Sequence, residues 1–541
     1  MADRAPASWR HAVYASLGLA VALALLVHDQ LFHLYSVPDL GDPLFSIWRM
    51  AWVDHQLAAD PRHLFDANIF YPERLTLTLS DPLILPAITY APLLAIGVHP
   101  LAAYNLVLLS GFWFSGIALY LLVERLTAAP RAAFISGLIY ATYAYRWDHY
   151  SHLELQMTQW MPLGLLALHR FIETRRWPYA IALGLAGTAQ LYSAMYYAVF
   201  FVVYATAIGI GLLLIHRPRV RQLVVPLAAS ALLAAVIAIP LVRAFSAAEP
   251  MKGERGVGEI SYYSATPADY LRAPRISLLW HNVMRRPAPE RTLFPGAAPI
   301  AIAAIGVAPP LGAVRLLYTA GLLLSFDGSL GYNGISYRWM HDWLSPVRGL
   351  RAPARFAALV GMSLAILAGF GARRAMAWRE GRHQTAAFAL LIAFVMIDAW
   401  PALALQSAPR DAPSVYEPLK GSGAILAEFP IEDEETFNVP YMYFSTWHWL
   451  SLVNGYSGFI PESYHRFYQA VRLFPDATSL AALRARGVTH VTVNCGLGYP
   501  GCEELLEATR RSRELRPLTE TQWQGGTVRL YELSGGSGAA R

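Results

Sequence analysis

The chain has 541 residues, of which 55% are hydrophobic and only 15% charged, and its mean hydropathy is +0.35. A soluble protein carries about a quarter charged residues, so a soluble enzyme, a disordered scaffold and a secreted disulfide framework are excluded as descriptions of the whole. The net charge of +6 is not a nucleic-acid footprint, because it divides into +9 over residues 1–404 and −3 over residues 405–541.

Apolar runs stand near 11–28, 82–98, 101–123, 131–145, 155–171, 178–193, 195–215, 222–245, 296–310, 312–326, 353–372 and 385–404. After Trp400 no run approaches the roughly 20 residues needed to cross a bilayer. The pattern predicts an α-helical polytopic membrane domain over 1–404, with about 11–12 transmembrane helices, and a soluble C-terminal α/β domain over 405–541. The first run follows Arg4 and Arg10 and keeps its small residues inside the apolar stretch, so it reads as a retained anchor.

Arginine placement sets the expected topology, since cytoplasmic loops collect Arg and Lys. Three clusters are assigned to the inner side: Arg170, Arg175 and Arg176; Arg217, Arg219 and Arg221; and Arg373, Arg374, Arg379 and Arg382. The first outer loop is then 29–81, and loops 246–295 and 327–352 also face outward, as does the tail. Twelve full spans from an inner N-terminus would return the tail to the cytoplasm. The run 82–98, interrupted by Pro82, Pro86 and Pro92, is therefore read as re-entrant or interfacial.

The first outer loop mixes acids (Asp39, Asp42, Asp54, Asp66, Glu73, Asp81) with Trp48, Trp52, Phe65, Phe70 and Tyr71. Pro43–Leu57 has an amphipathic pattern, which places it on the membrane surface. Asp39 and Asp42 are the candidate catalytic acids, suited to deprotonating a hydroxyl or holding a divalent cation; the bland alternative is solvated loop charges and helix caps. The segment Arg146–Gln156 supplies a second constellation, in which His152, Glu154 and Gln156 are candidate substrate contacts. A metal site there lacks recognisable ligand spacing. A third lies around SPVRGLRAPARF, where Arg348, Arg351 and Arg355 on an outward loop suit bidentate capture of a phosphate, with Tyr337 and His341 beside them. The alternative is headgroup binding by snorkelling arginines. Loop 246–295, with Lys252, Arg255, Tyr262, Tyr263, Arg272 and Arg275, is a candidate lid.

In the tail, strands are expected at 423–430, 488–494 and 527–532, and helices at 464–473, 478–486 and 503–513. His448, Asn454, Tyr456 and Ser457 are candidate glycan contacts, with packing as the alternative, and Glu432–Glu435 reads as a solvated loop. Cys495 and Cys502 would close a small loop in an oxidising compartment; the alternative is two unpaired thiols. No GxGxxG, Walker-A, G-x-S-x-G, HExxH or haem motif appears in a usable context.

The acidic first outer loop, the many spans, the outward arginines and the soluble tail together resemble the GT-C superfamily of integral-membrane glycosyltransferases. The phrases GDPLFSIWRMAWVDHQL, LFDANIFYPERLTLTLSDP, HLELQMTQWMPLGLLALHR and VRGLRAPARF, with GAILAEFPI, LVNGYSGFIPESY and GVTHVTVN in the tail, look like a bacterial GT-C-like group of YfhO/ArnT-like organisation. The resemblance implies a multi-pass protein of the cytoplasmic (inner) membrane with an extracytoplasmic C-terminal domain. It implies transfer of a sugar from a polyprenyl-phosphate donor to a glycan, lipid or protein acceptor of the cell envelope. Its donor phosphate would lie near Arg351 or Arg355, and Asp42 would act as base; metal dependence stays open between none and a divalent cation. Two competing readings are a transporter or flippase of lipid-linked glycan, and a non-catalytic envelope-assembly protein.

Overall fold

The computed structural model describes residues 9–252, 255–377, 381–431 and 437–535. Arg4, Arg379 and the Glu432–Glu435 run lie outside the described residues. Each of the twelve apolar runs falls on a helix, because continuous apolar sequence leaves the backbone no better partner than itself. Five helices are long and apolar enough to cross a membrane: Trp9–Leu26, Pro100–Thr127, Met195–His216, Arg221–Ala247 and Pro353–Ala377. The chain is a helical membrane protein with a C-terminal α/β part. Helix Ile84–Ala95, at 12 residues, is about 18 Å long at 1.5 Å per residue, short of the roughly 30 Å hydrocarbon layer.

Contacts divide the chain into two compact units: Met1–Leu34, Asn105–Ile239 and Glu254–Leu405 form the first, and Tyr35–Tyr104, Pro240–Gly253 and Gln406–Arg541 the second. The centre of the first unit is helix Ala357–Ala377, whose apolar window is 94% buried, whereas that of Arg221–Ala247 is 17% buried. The first is thus a protein core, and the second presents Val224, Val225, Leu232 and Val236 outward, as a lipid-facing helix does.

Ala357–Ala377 packs against Ala297–Val307 at backbone distance. A Cβ on Gly371 would stand 1.8 Å from the Ile302 carbonyl oxygen, and one on Gly306 2.1 Å from that of Leu367. Without a hydrophobic drive in lipid, small residues that let helices approach supply much of the association. Buried polar groups add directional contacts: the Tyr204 hydroxyl lies 2.7 Å from Ser363 Oγ, and Ser136 Oγ donates to the Ala365 carbonyl at 2.6 Å. Helices Trp160–Thr174 and Met195–His216 stop where Arg175 and Arg217 turn left-handed, at φ of 58° and 46°. Cations at these C-terminal ends also complement the helix dipole.

The second unit contains a five-stranded mixed sheet. Ile425–Phe429 pairs in parallel with Ser451–Leu452 on one side and His490–Asn494 on the other. Gly526–Leu533 then pairs antiparallel with His490–Asn494 and with the edge strand Leu515–Trp523. Helices Val439–Ser445, Glu462–Val471, Ala477–Ala485 and Cys502–Arg511 accompany the sheet in the α/β part. Cys495 and Cys502 are disulfide-bonded, with Cα atoms 5.4 Å apart.

The first loop after Trp9–Leu26 joins this α/β part rather than forming a surface strap. Ser36–Val37 pairs with Gln406–Ser407. Tyr71 N–H donates to the Leu452 carbonyl, Phe70 N–H to that of Asn454, and Leu452 N–H to that of Asn68. Helix Asp42–Ala59 has eleven consecutive buried residues, Pro43–Val53, so protein surrounds its first three turns, while its last turn, Leu57–Ala59, is exposed. Its apparently polar face is satisfied internally: Arg49 donates to the Asp81 carbonyl at 2.9 Å and to Ser46 Oγ at 2.9 Å, over the Phe45 ring.

Candidate functional site

In the first unit, the segment Ala144–Gln156 breaks into two short helices, Ala144–Asp148 and Leu153–Gln156. The break turns several polar side chains inward. Arg146 is buried; its Nε donates to Gln156 Oε1 at 3.1 Å and its Nη2 to the Gln156 carbonyl at 2.8 Å, while the ring of Phe112 lies 4.4 Å away. Gln156 Nε2 in turn donates to the His149 carbonyl at 2.6 Å. Gln156, expected to contact substrate, is therefore occupied in holding this segment together. Glu154 is buried on the short helix, and the His152 ring stands edge-on to His149 at 5.3 Å.

The loop before helix Ala297–Val307 closes over this segment. It is tied at its base by Arg285 N–H to the Leu271 carbonyl and Phe294 N–H to that of Arg272. Glu290 on this loop takes a left-handed backbone, φ 59°, and meets Arg355 in a fork: Nε to Oε2 at 2.9 Å and Nη2 to Oε1 at 2.5 Å. The two side chains are only 9% and 6% exposed. Burial pushes the Glu290 carboxyl up, but the charge and hydrogen bonds of Arg355 outweigh it and hold it well below the usual carboxylate range. His149, with Nε2 3.8 Å from Glu290, is driven down to about 3, chiefly by burial, and is neutral.

Asp148 and Arg275 line one cavity of about 300 Å³ together with Trp147, Pro274, Ile276, Pro287, Ala288, Pro289 and Thr292. Burial pushes the Asp148 carboxyl up to about 7; a hydrogen bond with Thr292 opposes this and nearby Glu290 adds to it. Such a carboxyl is divided between its two protonation states near neutrality, the condition that favours proton transfer in either direction.

The three expected phosphate ligands differ in availability. Arg355 is committed to Glu290. Arg348 donates to the His341 carbonyl at 3.1 Å and the Asp342 carbonyl at 2.8 Å, and otherwise faces outward. Arg351 is about a third exposed; its backbone N–H donates to the Tyr196 hydroxyl at 2.8 Å, and its guanidinium lies 3.9 Å from Glu259 and 5.6 Å from the Tyr263 ring centroid. Glu259 is also bonded to Arg255 at 3.1 and 3.3 Å. Tyr337 is buried and donates to the Leu350 carbonyl at 3.2 Å, and His341 sits edge-on to Tyr332.

The expected catalytic acids belong to the second unit. Asp39 Oδ1 accepts from Gly41 N–H at 2.9 Å. Asp42 is the first residue of helix Asp42–Ala59, a position where the helix dipole favours a carboxylate whether or not it does chemistry. In the tail, His448, Asn454 and Ser457 are buried. Asn454 bridges the Glu428 backbone and Asn438, so packing accounts for it. Sequence reasoning passed over Asp148, although it lies within the chosen constellation, and gave no signal for Glu290 or Thr292, whose partners stand far away along the chain. Among the described residues no group of three or more His, Cys, Asp or Glu side chains is arranged to hold a metal ion. No protein-family model matches the chain, and no curated protein matches it.

Proposed function

We propose that the chain is an integral-membrane glycosyltransferase of the GT-C type, which moves a sugar from a polyprenyl-phosphate donor to a cell-envelope acceptor on the outer side of the cytoplasmic membrane. The observation that carries the reading is one cavity lined by both a carboxyl poised near neutrality, Asp148, and a cation, Arg275. Transfer from such a donor needs a base for the acceptor hydroxyl and positive charge for the departing phosphate. In this reading the acceptor oxygen attacks the anomeric carbon while its proton passes to Asp148. Polyprenyl phosphate leaves with its charge met by Arg275. Arg355, already neutralised by Glu290, positions the loop instead of meeting the donor.

The base is assigned to Asp148 over Asp42 because Asp42 occupies a helix start that accounts for its charge. The Cys495–Cys502 bond supports an extracytoplasmic tail, since disulfides persist in oxidising compartments. The inner-side arginine clusters support the same orientation. The test is incubation of purified protein with a panel of polyprenyl-phosphate sugars and envelope glycans, with mass analysis of released carrier. Carrier release lost in Asp148→Asn and retained in Asp42→Asn supports the assignment. The opposite pattern returns the base to Asp42. Lipid-linked glycan moved across vesicles with no carrier released from any donor overturns the transferase in favour of a transporter.

A further inference from the structure

The second unit contains a cavity of about 420 Å³ that the reading above does not use. Its wall includes Asp54 and His55 from helix Asp42–Ala59, Tyr90 from Ile84–Ala95, His99, Arg410 and Asp411, and the pair Trp447 and Trp449. Chain alternation builds the aromatic side: Trp447 and Trp449 face the cavity, while His448 between them turns into the core against Tyr416, with ring centroids 4.9 Å apart. Trp449 holds a left-handed backbone, φ 53°, which a bulky aromatic residue adopts only where its surroundings impose it. That backbone lays its indole flat on the His55 ring, 4.2 Å away at 9°, and edge-on to Trp52 at 6.0 Å.

We propose that this cavity binds a sugar ring of a glycan, by aromatic packing against Trp447 and Trp449 and by hydroxyl hydrogen bonds to Asp54 and Asp411. The volume lies in the range of small-ligand sites, which combine apolar walls with a few placed polar groups. The chemistry of the wall selects among ligands. Two carboxylates against one guanidinium disfavour a phosphate or other anion, and His55, His99, Arg410 and Asp411 beside Asp54 disfavour a lipid tail. Arg410 is further engaged over the Tyr35 ring at 4.1 Å, and its carbonyl lies 2.9 Å from His99 Nε2. What remains is flat apolar surface beside strong acceptors, which suits a neutral polyhydroxylated ring whose faces are apolar and whose rim is donors. Burial raises the Asp54 carboxyl from its ordinary value, and the neighbouring His55 opposes that shift.

The inference deepens the transferase reading by making the acceptor a glycan, and rests on that reading for the word acceptor alone. Binding is measured without transfer, by calorimetric titration of the full chain in detergent with chitotetraose, mannotetraose and cellotetraose, and with tetramethylammonium as a cation control. At least one oligosaccharide is expected to bind with Kd of about 1 mM or tighter. Trp447→Ala should weaken it about tenfold or more, and the isosteric Asp54→Asn several-fold with unchanged thermal unfolding. Binding of none of the three sugars, binding of tetramethylammonium in their place, or sugar binding unchanged in both variants overturns the site. Sugar binding by a protein that transfers nothing leaves this site standing and removes the transferase. Transfer to glycan undiminished in Trp447→Ala removes the acceptor role.

Discussion

Replacing Glu290 by Gln isolates the contact that closes the first unit's loop. The wild-type fork places two charge-assisted bonds, 2.9 and 2.5 Å, between side chains only 9% and 6% exposed. Coulomb attraction at ~3 Å and an effective dielectric of ~20 is about 5 kcal/mol, offset by the desolvation of both ions. Removing one partner leaves the other buried and uncompensated, which typically costs ~3–5 kcal/mol. The Gln amide oxygen still accepts one guanidinium N–H, so the lower end, about 3 kcal/mol, is expected. The left-handed Glu290 backbone, which stores ~1–3 kcal/mol, then loses the contact that offsets it. Thermal unfolding of purified protein in detergent, followed by tryptophan fluorescence, measures the loss. The double variant Glu290→Gln with Arg355→Met should recover most of it, because no charge is left unpaired. Acid acts on the same contact: the folded Glu290 pKa lies below its ordinary 4.5, so the stabilisation is present above about 4.5 and lost as pH falls further. A single variant as stable as wild type, or a double variant no better than the single, refutes the reasoning.

Gly371→Ala should cost about 3 kcal/mol or abolish folding, since its Cβ would stand 1.8 Å from the Ile302 carbonyl and neither helix backbone can yield cheaply; an unaltered melting temperature would show that the two helices are not packed this closely. Asp148 should give a pH profile in which kcat/KM rises tenfold per pH unit below about 7 and flattens above it. A profile flat from pH 5 to 8 excludes this carboxyl as base. The same shift has the opposite sign for stability: the folded state holds its proton up to about 7 and the unfolded state to about 3.8, so stability is full below 3.8 and declines as pH rises through 7. Glu428 is fully buried on the strand Ile425–Phe429, accepts from the Tyr416 hydroxyl at 3.2 Å, and is pushed by burial up to about 8. Its contribution is likewise lost between about 4.5 and 8, so Glu428→Gln should flatten the stability of the α/β part over that window and match or exceed wild type at pH 8; chemical denaturation at pH 5 and pH 8 decides it.

The helices were legible because their signal is local. The run expected at 296–310 stops at Val307, where Ala308 turns extended ahead of Pro309 and Pro310. In the tail, Ile425–Phe429, His490–Asn494 and Gly526–Leu533 fall at the expected places, since inward-facing Val, Leu and Phe mark them. Leu515–Trp523 was missed: it is an edge strand whose Arg516, Pro517 and Leu518 are exposed, and Pro517 argues against a strand on sequence alone. The first loop misled in a different way. Its aromatics and acids look interfacial when read alone, but contacts such as Phe70 against Tyr464, with centroids 5.0 Å apart, make it core of the α/β unit. Long-range pairing hides the site as well. His152, Glu154 and Gln156 stood out by residue type, yet Gln156 serves Arg146, and the partner that organises the cluster, Glu290, carries no local pattern.

The transferase account rests on a base and a cation sharing one cavity, so the deciding measurement is single-turnover release of polyprenyl phosphate by wild type and by Asp148→Asn and Arg275→Ala at pH 7.5. The account predicts loss of about 10²–10⁴-fold in rate for Asp148→Asn, the usual contribution of a positioned base. For Arg275→Ala it predicts a fall in rate that exceeds any fall in donor binding. Release at wild-type rates by Asp148→Asn, with the variant folded, would contradict it.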